Sequence, residues 1–413
     1  MQTNNLYFKE QIQNNGFSNY QKTPENNNLD KNNDSINVRL ITTEDEFLAL
    51  RDQWNSLNDH SKKSRFFVSW EWLFTWWQIY KKDFSHKPYI ICCYEKNTLV
   101  GIAPFQIINN PRRYFPCSRQ LVLLGTGETD GSYVFGEYMD LIIKPEYESL
   151  VLKSVSDYLI QNKALWDGAK FHELLNNSHL AKLFQDSFKI IEKEVSSNGF
   201  RTYIELPESY KDYLMSLRKK MRNNITRTFK RLNNEQEYTI DKITDVAEID
   251  EAIEIIADLN RSRRKNLEKD SVFAQKNFVE FHKLVCERLL PLNKVIFRVI
   301  RFKGEPVAVL YSYIDGNTVH AYQSGFEEKN GHRYSLLTTM LTHEIEESIK
   351  NKEITRFNFM YSDQEATYKR RYSGTTETMY KLSYDKRGLK FSLYKVIHGP
   401  IKNAVKKLLG VEG

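Results

Sequence analysis

The feature that most restricts the fold lies between residues 294 and 361. Three apolar runs, 294–302, 305–314 and 318–323, are separated only by Lys303-Gly304 and Asp315-Gly316-Asn317. Spacers that short and that rich in Gly, Asn and Asp are hairpin turns, so the runs are consecutive antiparallel strands. A helix over about 335–350 follows, and then the stretch 355–372. In that stretch Phe357, Phe359 and Tyr361 alternate with Asn358 and Met360, the period of a pleated strand. Past Ser362 its character changes to Asp363, Glu365, Tyr368, Lys369, Arg370, Arg371 and Tyr372. Polar groups gathered beyond the end of a buried strand are how a rigid sheet presents a site, although a solvated turn has the same composition.

The amino-terminal half has its own strands and helices. The run 38–41 is a strand, and Thr42 or Thr43 caps a helix whose first turn carries Glu44, Asp45 and Glu46. Ser69 caps a second helix containing four tryptophans, Trp70, Trp72, Trp76 and Trp77. Their spacing suits a packed aromatic core better than a cofactor box. Glu71 stands out there, because a carboxylate inside an apolar helix needs a partner. Strands at 89–94, 100–107 and 121–124 lead into a glycine-containing loop at 125–132, then Glu137-Tyr138-Met139-Asp140 and a strand at 141–143. The loop lacks the spacing of a dinucleotide or nucleoside-triphosphate fingerprint. A helix at 146–162, a strand at 169–174 and a short helix at 178–186 complete this half.

The remaining half begins with a strand at 202–206. A basic helix over 214–232 has Leu217, Met221, Ile225, Phe229 and Leu232 on one face and Arg218, Lys219, Lys220, Arg222, Arg227, Lys230 and Arg231 elsewhere. That row of cations suits a solvated face or a platform for phosphates or RNA. Helices at 245–266 and 275–290 precede the three hairpin strands.

At 413 residues the chain exceeds one ordinary core. The expected organisation is a disordered tail at 1–36, a domain at 37–199, a second at 200–387 and a helical tail at 388–413. The first segment is rich in Asn, Gln and Lys and too poor in aliphatic residues to fold alone. No apolar run reaches the roughly 20 residues of a membrane span, and no signal-like segment opens the chain. The four cysteines have no ligand-like spacing. They suggest reduced thiols, a cytoplasmic setting and no metal. Scattered histidines and the absence of a Gly-x-Ser-x-Gly elbow argue against a metalloenzyme and a serine hydrolase. The net charge of +7 favours an anionic partner.

Several phrases together resemble a bacterial acetyltransferase-like family of the GNAT superfamily, of the cellulose- or exopolysaccharide-biosynthesis type and related to Fem-type peptidyl transferases. They are Phe67-x-Ser69-x-Glu71-Trp72-Leu73 with Trp76-Trp77, then Gly125, Gly127 and Glu128 followed by Glu137-Tyr138-Met139-Asp140. The basic helix, the hairpins and Phe357-Asn358-Phe359-Met360-Tyr361-Ser362-Asp363 with Tyr368-Lys369 complete them. The sequence departs from the family where Asn358 replaces Asp, Ser362 replaces Gly, and Tyr334-Ser335-Leu336-Leu337 lacks the usual Pro and Gly.

The resemblance implies an α/β chain of mixed sheets, two tandem GNAT-like domains over about 38–385, and an acyltransferase using a coenzyme A thioester such as acetyl-CoA. Its acceptor would be an amine or hydroxyl on a small molecule or glycan precursor. It implies a donor arm held between splayed strands and a pyrophosphate near Gly331, Arg333, Tyr334 and Ser335 at the start of a helix. Asp363, with Glu365 in reserve, would be the general base. Tyr368 would protonate the leaving group, and Lys369 would hold an anionic acceptor or phosphate. Glu71, Glu128, Tyr138 and Asp140 would reach the cleft from the first domain. Two alternatives stay open: an aminoacyl-tRNA-dependent Fem-like transferase, and a GNAT-like binding protein that no longer turns over.

Overall fold

The structure is a computed structural model that describes residues 36–61, 66–82, 88–109, 119–128, 132–134, 136–188, 195–234, 238–268, 270–328, 334–362 and 368–385. The expected tails, apart from Ile36, lie outside these residues.

Capping chemistry sets the first helices. After β1 (Ile36–Ile41), Thr43 and Glu46 form a reciprocal capping box at the start of α1 (Glu44–Ala49). The apolar positions Phe47, Leu50, Trp54 and Leu57 do not form one helix, because the chain resets at Leu50 into α2 (Arg51–His60). The Ser69 hydroxyl accepts from Trp72 N–H and opens α3 (Trp70–Tyr80). Trp70, Trp72 and Trp76 are buried, as expected of a core. Glu71 has found its partners in the Arg51 guanidinium and the Asn55 amide.

The strands β2 (Pro88–Glu95), β3 (Thr98–Asn109) and β4 (Arg119–Leu123) form an antiparallel meander, and the short β5 (Ile142–Ile143) adds to β3. Then α4 (Glu148–Gln161) leads to β6 (Gly168–Leu174), which pairs parallel to β4, and α5 (His179–Phe188) leads to β7 (Val195–Glu205). The second series begins with α6 (Tyr210–Ser216) and α7 (Lys219–Asn233), followed by β8 (Tyr238–Ile243), α8 (Ile249–Asn266) and α9 (Lys276–Leu289). The expected hairpins are β9 (Val295–Phe302), β10 (Glu305–Asp315) and β11 (Thr318–Phe326). They lead through α10 (Leu336–Lys350) to β12 (Arg356–Ser362), parallel to β11, and finally β13 (Thr375–Asp385).

These strands share one sheet in the order β1-β2-β3-β4-β6-β13-β7-β12-β11-β10-β9-β8. Read inward from either edge, the same unit appears twice: strand, helices, three antiparallel strands, helix, parallel strand. The two last strands are exchanged. β7 closes the first series but pairs with β12, and β13 closes the second but pairs with β6. β7 and β13 then pair with each other through eight residue pairs, from Thr375 with Tyr203 to Leu382 with Val195.

Three elements differ from expectation. The basic helix over 214–232 is broken at Leu217 and Arg218, both extended. Arg222, in the first turn of α7, turns its guanidinium back to the Leu214, Met215 and Leu217 carbonyls, so one of the expected exposed cations caps α6. β8 and β13 were not anticipated. β13 is mostly Thr and charged residues, and among its described side chains only Met379 and Leu382 are fully buried. The expected boundary at 199/200 falls within β7.

Aromatic packing closes the seam. Phe66 packs on Tyr313 with centroids 4.2 Å apart and the rings tilted by 38°, and Trp72 meets Phe281, Tyr313 and Tyr322 edge-on. Arg288 of α9 donates to Thr75 and Gln78 of α3. Among the described residues, no helix is long and apolar enough to cross a membrane.

If β13 is the joint between the two series, Met379→Ala will destabilise the whole sheet. We expect a loss of about 2–5 kcal/mol in urea denaturation. The transition should stay single whether followed by tryptophan fluorescence or by circular dichroism. A loss below about 1 kcal/mol would show the joint lies elsewhere.

Candidate active site

β11 and β12 are parallel neighbours for only three pairs, Thr318 with Arg356, Val319 with Phe357 and His320 with Asn358. Beyond them β11 stays with β10 and β12 stays with β7, so the two strands part. A cavity of about 210 Å³ opens in the fork. Ala321, Gln323 and Ser324 line it from β11, Phe359 and Met360 from β12, and Leu337 and Leu341 from α10. Two strand edges facing a gap offer backbone donors and acceptors to an extended ligand. α10 begins beside the fork, with Ser335 left-handed at φ 46° and making no side-chain cap.

The local cause of the fork is a bulge in β12. The register with β7 shifts between Asn358 and Tyr361, and Met360 takes a left-handed φ of 63°. Polar side chains serve the displaced backbone. The Asn358 carbonyl oxygen accepts from Met360 N–H at 2.9 Å. The Lys369 ammonium donates to the Met360 and Tyr361 carbonyls at 2.8 and 2.9 Å. A carboxylate oxygen of Glu137 accepts from Tyr361 N–H at 2.8 Å. Glu137 is on the first series and 224 positions away.

Glu137 and Lys369 both line the cavity, and both are nearly inaccessible, at 3% and 4% exposure. A third charge, Glu173 at the end of β6, is 4% exposed and accepts from the Tyr133 hydroxyl. Burial and the neighbouring Glu173 push Glu137 well above the usual carboxylate range. Burial raises Glu173 likewise, against the hydrogen bond from Tyr133. Burial lowers Lys369, against the pull of Glu137. Two carboxyls and one amine therefore exchange protons closer to neutrality than free side chains do. Tyr138 and Glu173 also have left-handed backbones, at φ 57° each, a cost that tertiary contacts must hold in place.

A second cavity, of about 280 Å³, lies across the seam. Arg201, Arg356, Asp315, Asn317, Ser178 and Asn177 are among its walls. Tyr138, His320 and Asn358 line it too, at the point where β11 and β12 part, while Glu137 faces the fork. The Asn358 amide donates to the His320 Nδ1 at 3.2 Å and lies 3.3 Å from the Tyr138 hydroxyl. Burial lowers the His320 pKa to about 4, so its ring is neutral and Nδ1 accepts.

Residues 219–370 match the acetyltransferase (GNAT) domain family.

Solved structures with the same fold span nearly all of the chain. FemX aligns with 87% of this chain and 99% of its own, at TM-score 0.57 and 8% identity. L-PGS from Bacillus licheniformis aligns over 84% and 95%, at TM-score 0.50 and 13% identity. A conserved protein of unknown function from Bacteroides thetaiotaomicron aligns over 82% and 97%, at TM-score 0.50 and 14% identity. No curated protein sequence matches the chain. With the strand order of the matched half repeated by residues 36–205, the fold is tandem GNAT-like within the α/β class.

The sequence-expected residues divide into five groups. Tyr368 and Lys369 line the fork. Tyr138 and Asp140 line the second cavity, but both Asp140 oxygens are occupied by backbone amides of Leu141, His179 and Leu180, which makes it the cap of α5. Glu71 and Glu128 line neither: Glu71 joins α3 to α2, and Glu128 accepts from the Trp76 indole. Tyr334 is a core residue packed on Phe302, and Ser335 starts α10. Asp363, Glu365, Gly331 and Arg333 lie outside the described residues. Lys369 was expected to hold an anionic acceptor or phosphate, and two of its donors go to the Met360 and Tyr361 carbonyls of the bulge. Glu137 and Glu173 were not assigned from sequence. The only signal was the acidic residue before Tyr138, and its importance comes from burial that no local pattern encodes.

Folded His320 titrates below the unfolded value of 6.5, so the unfolded chain binds more protons between about 6.5 and 4. Stability therefore falls as pH falls through that window. Asn358→Asp puts an anion beside the ring and will raise the His320 pKa, read from its imidazole NMR shifts. An unmoved titration would show that Asn358 and His320 do not touch.

Proposed function

We propose that the protein is an acyltransferase whose donor is a coenzyme A thioester, with the thioester arm lying in the fork between β11 and β12. The observation that carries this reading is the parting of those strands after three pairs, next to the amino end of α10. An extended arm with amide groups would add to the exposed strand edges, and its phosphates would approach the start of α10. The apolar floor of Leu337, Leu341 and Phe359 suits the arm's methylene segments. The match of residues 219–370 to an acetyltransferase domain supports the same donor class.

In this reading the second series is the donor-binding domain. The acceptor, an amine or hydroxyl on a polar small molecule or glycan precursor, would sit across the seam among Arg201, Arg356 and Asn317. Acetyl transfer, exopolysaccharide biosynthesis and a cytoplasmic site of action are the finer parts of the proposal. Attack on the thioester carbonyl expels a thiolate. Tyr368, which lines the fork and is 44% exposed, would give that sulfur a proton and recover one from water.

One observation favours a second donor. Lys219, Lys220, Arg227 and Lys230 of α7 form no ion pair with the described residues, and all four are exposed. An aminoacyl-tRNA, the donor suggested by a Fem-like reading, would use such a row. Its affinity for bulk tRNA should then fall steeply between 50 and 200 mM salt, as counterions are released. A flat salt response would remove tRNA.

Acetyl-CoA at 100 times its dissociation constant should stabilise the folded protein by about 2.7 kcal/mol and raise its melting temperature accordingly. Ala321→Trp fills the fork. It should abolish that shift while leaving the unliganded melting transition intact. A full acetyl-CoA shift in Ala321→Trp would place the donor elsewhere.

A further inference from the structure

We infer that Glu137 is the general base of the reaction, so that the first series supplies the catalytic carboxylate to the donor fork of the second. This rests on the acyl-transfer reading above and goes beyond it in assigning the proton acceptor.

Three observations meet here. Glu137 lines the fork next to Tyr361, Lys369 and Tyr368. The Tyr361 N–H and a hydrogen bond from Tyr138 fix its carboxylate. The left-handed turn at Tyr138, adjoining it, holds the loop in a conformation that L residues rarely adopt. A buried carboxylate is costly even when it is hydrogen-bonded, and more so than a neutral amide in the same place. The Tyr361 N–H would be equally well met by a neutral amide, as Asn358 meets the Met360 N–H one residue earlier in the same bulge. A negative charge there is more than the backbone requires.

The groups facing Glu137 give it a route to exchange protons. Glu173 of β6 is next to it electrostatically, and Tyr133, bonded to Glu173, is 38% exposed. Lys369 is the countercharge from the turn after β12, Tyr322 faces it from β11, and Tyr138 from its own loop. Burial and Glu173 raise its proton affinity toward the working pH, where a general base is most effective.

A protonated amine gives one N–H proton to the Glu137 carboxylate, which passes it through Glu173 and Tyr133 to water. The nitrogen lone pair attacks the thioester carbonyl carbon and the C–N bond forms. The Glu137 carboxylate takes the second proton from that nitrogen as the C–S bond breaks, leaving a neutral amide, and releases it by the same route. The thiolate takes a proton from Tyr368, whose phenolate recovers one from water. With water as acceptor the same carboxylate takes an O–H proton, and the products are acetate and the free thiol.

The test uses the full chain with acetyl-CoA as the probe and thiol release as the readout. Glu137→Gln keeps an oxygen for the Tyr361 N–H. We expect acetyl-CoA binding by calorimetry to be unchanged, and kcat for acetyl-CoA hydrolysis to fall about a hundredfold or more. Hydroxylamine is already unprotonated at neutral pH, so with it as acceptor the loss should be much smaller. Glu173→Gln provides a second measurement: with one like charge removed, the acid limb of the kcat/KM profile should move to lower pH. Wild-type protein that binds no acetyl-CoA would sink the acyl-transfer reading and this assignment together. Normal binding with undiminished hydrolysis by Glu137→Gln, or an unmoved acid limb in Glu173→Gln, would overturn the assignment alone.

Discussion

The exchange of β7 and β13 is the constraint on which the remaining architecture depends. Each strand belongs by chain order to one series and hydrogen-bonds to strands of the other. A sheet built this way has no free edge at its centre, so neither series can complete its own core alone. The exchange also sets the position of the chemistry. β7 holds β12 in the second series, β6 is held by β13, and the loop carrying Glu137 is pinned between them. That is how a side chain from the first series comes to accept a hydrogen bond from Tyr361 at the fork. Arg201 reinforces the arrangement. It pairs with Glu377 on the neighbouring strand and lies over the Tyr138 ring, with its guanidinium carbon 5.3 Å from the centroid. One charged side chain thus ties the seam to the loop that bears Glu137.

Local features of the fold were legible and long-range ones were not. The turns Lys303-Gly304 and Asp315-Gly316-Asn317, the Ser69 cap and the buried tryptophans of α3 follow from chemistry within a few residues, and the structure has them. β13 could not be found that way. Its outward residues are Thr, Glu and Lys, and it is a strand because β6 and β7 flank it, not because of apolar alternation. The run Thr375, Thr376 and Thr378 was the available hint, since β-branched residues favour strands. The break before α7 was equally hidden. Its apolar stripe continues in helical register, while the Arg222 side chain and the Ser373 hydroxyl meet the carbonyls of α6.

The site shows the same division. Tyr368 and Lys369 were expected at the end of β12, and they line the fork. The role expected of Lys369 was an electrostatic one toward a ligand, and its geometry is instead that of a brace for the bulge. Glu71 stood out as an acid in an apolar helix, and both Glu71 and Asp140 were expected at the cleft from the family resemblance. Their oxygens are met by Arg51 and Asn55 in one case and by three backbone amides in the other. A buried carboxylate with complete internal bonding is a structural part. Glu137 differs from Glu71 in bordering a cavity, and from Asp140 in that its cavity is the fork between β11 and β12.

That difference bears on why the bulge in β12 is there at all. A regular β12 would keep an unshifted register with β7. After the bulge Tyr361 still lies opposite Arg201, but its N–H is met by Glu137 of the first series. Asn358, Lys369 and Glu137 then meet the displaced backbone, two of them with charge. Burying an ammonium and a carboxylate to satisfy groups that neutral amides can satisfy is expensive in free energy, and continuum reasoning favours the neutral solution. The departure from it is confined to the place where β11 and β12 part, the two strands whose separation defines the fork. A charge that the backbone does not need, placed where a thioester arm would end, is more readily explained by proton transfer than by stability.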